Sequence, residues 1–259
     1  MHPEKYTSQP VLTAKAILES THPEHKRMQP PETVLIFMSK AMYTHAITII
    51  SAFQSKRVPG NVLISRRTKG IGILGDIGVG GPSVVAHLEI LAAWGVKQVI
   101  LAGKAGGLLP SIHYEDIVIP SKAFRDDGVS DHYLPPADWA TPSLKLNQRI
   151  CEALTTIQRQ GNRPTPYPAI HEAPVWTTAS IFRETKAEVR EYAKQGMAAV
   201  EMEAASLFTA AEVLGLEAAA VLVISDSLAT GSHQLAPRQR RVNQVQRQVT
   251  RTLIHLFKL

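Results

Sequence analysis

The sequence predicts an α/β protein: a mixed, mainly parallel central sheet flanked by helices, in three αβα layers. Two observations carry this. Short β-branched runs alternate with helical stretches along the chain, a pattern that builds a sheet with helices on both faces. Glycine-dense segments at 75–81 and 103–107 follow two of the strand-like runs. Ligands of such sheets sit beyond the carboxyl ends of the strands, so the residues just after each strand carry the functional question.

Residues 34–37 and Val62–Ser65 read as buried strands. Residues 70–74 form another, ending in the loop 75–81. Pro82 suits a first helical turn, where its missing N–H costs nothing. Val84, Val85, Leu88, Leu91 and Ala92 then make one apolar face, and Gly95 is placed to end the helix. Residues 99–102 are a strand, with a loop expected at 103–107, and 116–119 a further strand. The polar, proline-containing stretch 126–142 is a long loop, a feature often tied to function. Leu144–Gln160 is a helix, 176–178 a short strand, 185–195 a charged helix and 198–200 a short strand. Residues 203–214 form a helix closed by Gly215, and 218–224 a fully apolar strand. In the last helix Val242, Val245, Val249, Leu253 and Leu256 share one side, with arginines and glutamines opposite.

The 259 residues suffice for one large core, and 44% hydrophobic with 19% charged residues is an ordinary globular balance. Residues 1–30, with Pro3, Pro10, Pro23 and Pro30, are expected to form an arm belonging to an oligomer contact, and 31–259 a single domain. No apolar run approaches the roughly 18 residues of a membrane span, and no apolar signal core opens the chain, so a cytoplasmic protein is expected. Cys151 is the sole cysteine, which excludes an intrachain disulfide, and no ligand spacing indicates a metal. The net charge of +6 gathers in part on Arg238, Arg240, Arg241, Arg247 and Arg251. Aromatic residues do not interleave with them as a base-stacking surface requires, so no nucleic-acid partner is expected. A small anion could use the same positive charge.

The run at 70–75 matches a dinucleotide-binding spacing, but its glycines lie within a strand instead of opening a helix, which excludes that use. Gly80, Gly81 and Ser83, in the segment GVGGPS, stand at a helix start, where backbone N–H groups and the helix dipole attract an anion; a ligand-free tight turn fits the same residues. Gly103 allows close backbone approach, and Lys104 brings a cation to that edge or is a surface lysine in a turn. Glu203 can accept hydrogen bonds from two adjacent hydroxyls, or can simply favour a helix N-terminus. Asp226 follows the apolar strand 218–224, where partial desolvation makes it a candidate acid; a turn aspartate is the plainer alternative. Trp176, Phe182, His132 and Tyr133 are candidates for a pocket wall.

Five segments stand in one order: GVGGPS at 78–83, GKAGGL at 103–108, FRDDGVS at 124–130, AVEMEAASLF at 199–208 and VISDSLA at 223–229. In these the chain resembles the purine nucleoside and uridine phosphorylase superfamily, whose relatives include the methylthioadenosine/S-adenosylhomocysteine nucleosidases. The resemblance implies a nucleoside phosphorylase-like fold and cleavage of a nucleoside's N-glycosidic bond, with inorganic phosphate as co-substrate and no organic cofactor. It implies that Glu203 and Met202 hold the ribose, that Phe182 lies beside the base, and that Ser225 and Asp226 serve a purine, Asp226 giving a hydrogen bond or proton to N7. An arginine some dozen residues after that aspartate assists it in some members; Arg238 and Arg240 stand near that spacing. Family members form dimers, trimers or hexamers, so a homo-oligomer is implied.

The chain also departs from the family. The early phosphate loop with its arginine is replaced by Phe37-Met38-Ser39-Lys40-Ala41, a second arginine position holds Leu101, and Lys104 replaces a serine or threonine. An ammonium lacks the bidentate fork of a guanidinium, so Lys104, with Lys40 and an arginine from a neighbouring subunit, is an unequal substitute. Lys186 and Glu188 stand where uridine phosphorylases read uracil, which favours a purine. Three functions remain open: phosphorolysis, cleavage by water, and nucleoside binding without catalysis.

Overall fold

The computed structural model describes residues 2, 4–50, 55–65, 70–160 and 168–258. The chain runs through α1 (Ala14–Thr21), β1 (Thr33–Phe37), α2 (Lys40–Ile50), β2 (Ser55–Val58), β3 (Val62–Ser65), β4 (Ile71–Gly75), α3 (Gly81–Trp94) and β5 (Gln98–Gly107). Next come β6 (Ile117–Asp126), β7 (Trp139–Ala140), α4 (Leu144–Gln160), β8 (Ile170–Thr178), α5 (Lys186–Lys194) and β9 (Ala199–Glu201). It closes with α6 (Ala204–Leu214), β10 (Glu217–Ser227), β11 (Gln234–Leu235) and α7 (Gln239–Phe257).

The longest ladders are parallel, as the alternating pattern predicts: β1 beside β4 and β5, β5 beside β10, and β6 beside β8. Antiparallel pairs join β2 to β3, β3 to β4, β5 to β9 and β6 to β10. The pairings β5–β10, β10–β6, β6–β8, β8–β9 and β9–β5 close on themselves, so one half of the sheet curls into a ring of five strands.

Alternation along the strands divides the core. Val34 and Ile36 of β1, Val99 and Leu101 of β5, and Ala220 and Leu222 of β10 pack on α1, α3 and α6. Leu35, Phe37, Ile100, Ala219 and Val221 face the other way, onto α2, α4 and α7. Both faces are therefore covered, which is why these strands read as unbroken apolar runs. Gly95 and Gly215 end α3 and α6 in the left-handed conformation expected of helix-stopping glycines.

Several elements differ from the sequence expectation. The loop expected at 103–107, including Gly103 and Lys104, is strand: β10 pairs with β5 from Glu217↔Gln98 to Ser227↔Gly107, and β9 takes Gly106 and Gly107 on its other edge. Glycine weakens a strand, but two neighbouring strands supply the missing order. β6 and β8 are longer than expected because each templates the other from Ile117↔Ile170 to Asp126↔Thr178. α1 and α2 lack an obvious sequence signature; Met42, Ala46 and Ile50 of α2 nevertheless recur at helical spacing and are buried.

Candidate functional site

The carboxyl ends of β5, β9 and β10 meet around a cavity of about 250 Å³, whose walls include Lys104, Glu201, Met202, Glu203, Ser225 and Asp226, with Met38, Glu184 and His233. Each strand delivers its group differently.

On β10 the register slips between Ile224 and Asp226, a bulge that turns the strand end. Ser225 donates to Asp226 Oδ1 at 2.6 Å. His233 returns on the short β10–β11 hairpin, paired through Asp226↔Leu235, and its Nε2 lies 3.3 Å from Asp226 Oδ2. The partner strand makes room: a Cβ on Gly106 would stand 2.6 Å from Leu228 Cδ1 and 2.9 Å from Asp226 Oδ2. Glycine at 106 thus permits the approach of the acidic side chain.

At the β9–α6 junction two carboxyls divide the work. Glu201 Oε2 accepts the backbone N–H groups of Glu203 and Ala204, both at 2.8 Å, and its other oxygen accepts from Thr177. Glu201 therefore satisfies the start of α6. Glu203 has the cap position but makes no capping bond; its Oε1 takes the Gly80 N–H at 2.7 Å across the site. The plainer alternative for Glu203, a residue that merely favours the helix N-terminus, does not describe this geometry. Burial raises the proton affinity of both groups, and the Glu203 charge raises that of Glu201 further.

The GVGGPS turn is built into this junction. Gly80 spends its N–H on Glu203, and Ser83 donates its hydroxyl to the Ile77 carbonyl. Gly81 lies against α6, where a Cβ would fall 2.1 Å from Ser206 Oγ. Ser206 in turn donates to Asp127, whose Oδ1 accepts from Ser130 at 2.5 Å. Arg125 then ties down the long loop through Ser130, Asp131, Leu134 and Pro135. Three of the five sequence segments are thus one hydrogen-bonded and sterically interlocked unit.

The expected site residues separate accordingly. Lys104, Met202, Glu203, Ser225 and Asp226 line the cavity, and Phe182 lines a neighbouring cavity of about 450 Å³ that shares Ile181, Glu184 and His233 with the first. Gly80, Gly81, Ser83 and Gly103 line neither cavity, and Gly103 faces Met38. Trp176 is no pocket wall: it is fully buried, gives its Nε1–H to Asp126 at 2.9 Å and stacks near Tyr192, because β8 turns it into the core under α5. Tyr133 is occupied with Glu89, and neither it nor His132 lines the cavity. Arg238 and Arg240 are exposed at the start of α7 and absent from the cavity wall; the hairpin has turned the chain away, and the partner of Asp226 is His233. Glu188 is used in a capping box with Thr185.

Glu184 and His233 carry no sequence signal that singles them out. Glu184 precedes a helix cap, and His233 lies in a turn whose only mark is Gly231 with φ +74°. Burial and the Asp226 charge push Glu184 up to about 7, while His233 pulls the other way. A third cavity of about 400 Å³ shares Met38 and Val79 with the first and is lined by Lys40 and Asp76. Leu101, where the family carries an arginine, is wholly buried in the core. Among the described residues, no group of three or more His, Cys, Asp or Glu side chains is placed to hold a metal ion, and no helix is long and apolar enough to cross a membrane.

Comparison with known proteins adds to this geometry. A family model described as "Phosphorylase superfamily" matches residues 60–258. The DeoD-type purine nucleoside phosphorylase of Caldanaerobacter subterraneus subsp. tengcongensis is 32% identical over 169 residues, 63% of this chain and 68% of that protein. Its counterpart in Alkaliphilus metalliredigens is 27% identical over 221 residues, 82% of this chain and 89% of that one. Among solved structures, the purine nucleoside phosphorylase from Toxoplasma gondii in complex with immucillin-H superposes with a TM-score of 0.71 at 15% identity, covering 87% of this chain and 91% of that chain. The AMP nucleosidase from Bacteroides thetaiotaomicron gives 0.64 at 20% identity, covering 92% and 98%. The structural likenesses establish the fold.

Proposed function

Because the chain belongs to the phosphorylase superfamily, we propose that it cleaves the N-glycosidic bond of a purine nucleoside by phosphorolysis, releasing the free base and a pentose 1-phosphate. One observation carries this: Met202, Glu203, Ser225 and Asp226, which resemblance assigns to ribose and base, line a single cavity with Lys104. Breaking the C1′–N bond builds oxocarbenium character on the sugar, which the buried Glu203 carboxyl is placed to steady through the hydroxyls. The departing base gains electrons, and in this reading Asp226, which contacts Ser225 and His233, supplies a hydrogen bond or proton. Lys104 is the ammonium on the cavity wall for phosphate. The names of the two sequence relatives support the purine preference and the phosphate co-substrate. The reading carries a homo-oligomer with it, and Phe182, 96% exposed at the neighbouring cavity, is an apolar group that a second copy would cover.

Water as nucleophile is the second reading. No arginine lines the two cavities where an anion would bind, among the described residues, and Asp76 places a carboxylate in one of them. The purified protein is incubated with purine and pyrimidine nucleosides, with and without phosphate, and released base and sugar are measured. Base release that needs phosphate and yields pentose 1-phosphate supports phosphorolysis. Release of free pentose without phosphate replaces it with hydrolysis, and binding without release sinks both.

A further inference from the structure

Glu184 occupies the wall common to the first two cavities, in the short link between the turn Ile181–Arg183 and α5. It is half-buried. Asp226 from β10 and His233 from the hairpin border the same cavity, Glu188 adds its charge from α5, and Lys104 and Lys186 stand on the walls of the first and second cavities. Nothing in the phosphorolysis scheme above uses this carboxyl.

A purine presents N7 and its 6-substituent side by side on one edge: N7 is an acceptor in both cases, whereas the neighbour is an amino donor in adenine and an oxo acceptor in guanine. Asp226 is assigned to N7, Glu203 to the ribose and Glu201 to the start of α6, which leaves Glu184 as the carboxyl of this lining free to meet the neighbouring 6-position. An ionised carboxyl only accepts, and a protonated one also donates. Resting on the nucleoside-cleavage reading, we propose that Glu184 reads the 6-position of the purine, accepting from a 6-amino group as a carboxylate and donating to a 6-oxo group as an acid. Burial and the neighbouring Asp226 hold its ionisation at about 7, so both forms are present at neutral pH. Base preference then follows pH: 6-oxopurines below neutrality, 6-aminopurines above.

The test is the ratio of kcat/KM for adenosine to that for inosine across pH. Between about pH 6 and about pH 8 each form of Glu184 changes roughly tenfold in population, so the ratio rises towards roughly 100-fold in the limit where each form reads one base. In Glu184→Gln, whose amide carries donor and acceptor without titrating, the ratio is flat. In His233→Asn the slope persists, which separates Glu184 from the imidazole beside it. Equilibrium binding of adenine and hypoxanthine to Glu184→Gln, checked for folding by its melting transition, repeats the comparison without turnover. A flat ratio in the native protein, or an unchanged slope in Glu184→Gln, overturns the proposal while leaving nucleoside cleavage standing. Cleavage of neither nucleoside by the native protein overturns both.

Discussion

Asp226 touches Ser225 and His233 and leaves its side chain 19% exposed. Both side-chain partners are polar, so the proposed catalytic role can be separated from stability. Asp226→Ala should lower kcat by about 10²–10⁴-fold, the usual worth of a general acid, and shift the melting temperature little. Turnover kinetics and a thermal melt on the same preparation check this, and an unchanged rate would remove Asp226 from the mechanism. Glu203 differs: its bond to Gly80 ties α3 to α6, and any substitution there mixes binding with folding. The aspartate was legible in the sequence because it stands one serine beyond an apolar run. His233 was not, because its proximity depends on the hairpin that returns it seven residues later, and a loop's path is not written in local periodicity.

At the scale of elements, α3 and α6 are locked by small residues. Gly81 begins α3 against Ser206 of α6, with Val129 Cγ2 3.3 Å from where a Cβ would stand. Gly81→Ala inserts a methyl 2.1 Å from the Ser206 hydroxyl, which must then release Asp127 or push the helices apart. Overpacking of this kind costs about 1–3 kcal/mol. Urea denaturation should report a loss in that range, and Gly81→Ala with Ser206→Ala should recover part of it. Full stability in the single variant would show that the helix pair yields freely. The GVGGPS segment thus read correctly as a helix start but ambiguously as an anion cradle: glycine spacing is the same whether the backbone must admit a ligand or another helix.

On the whole molecule, the buried Glu201–Glu203 pair makes folding pH-dependent. Glu201 rises from an ordinary 4.5 towards about 8 through burial and the Glu203 charge. A carboxyl that binds its proton more tightly when folded contributes stability that is fully present below the unfolded value and fades as pH climbs through the folded one. Unfolding free energy should therefore fall from about pH 4.5 to about pH 8, and Glu201→Gln should flatten that part of the profile, as denaturation at stepped pH will measure. An unaltered slope in the variant would place the proton elsewhere.

Strand and helix periodicity, the glycine stops at 95 and 215 and the doubly covered sheet were available from the chain alone, because burial on both faces demands continuous apolar runs and amphipathic helices demand their own spacing. The ordered segments also located Lys104, Met202, Glu203, Ser225 and Asp226: Met202 and Glu203 follow β9, Ser225 and Asp226 close β10, and Lys104 lies within β5. Ring closure, the extension of β5 through Gly107, the exclusion of Arg238, Arg240 and Trp176 from the cavity wall and the arrival of Glu184 and His233 came from folding. These depend on which strands pair and where loops return, and such long-range contacts are made by residues that carry no mark of one another in sequence.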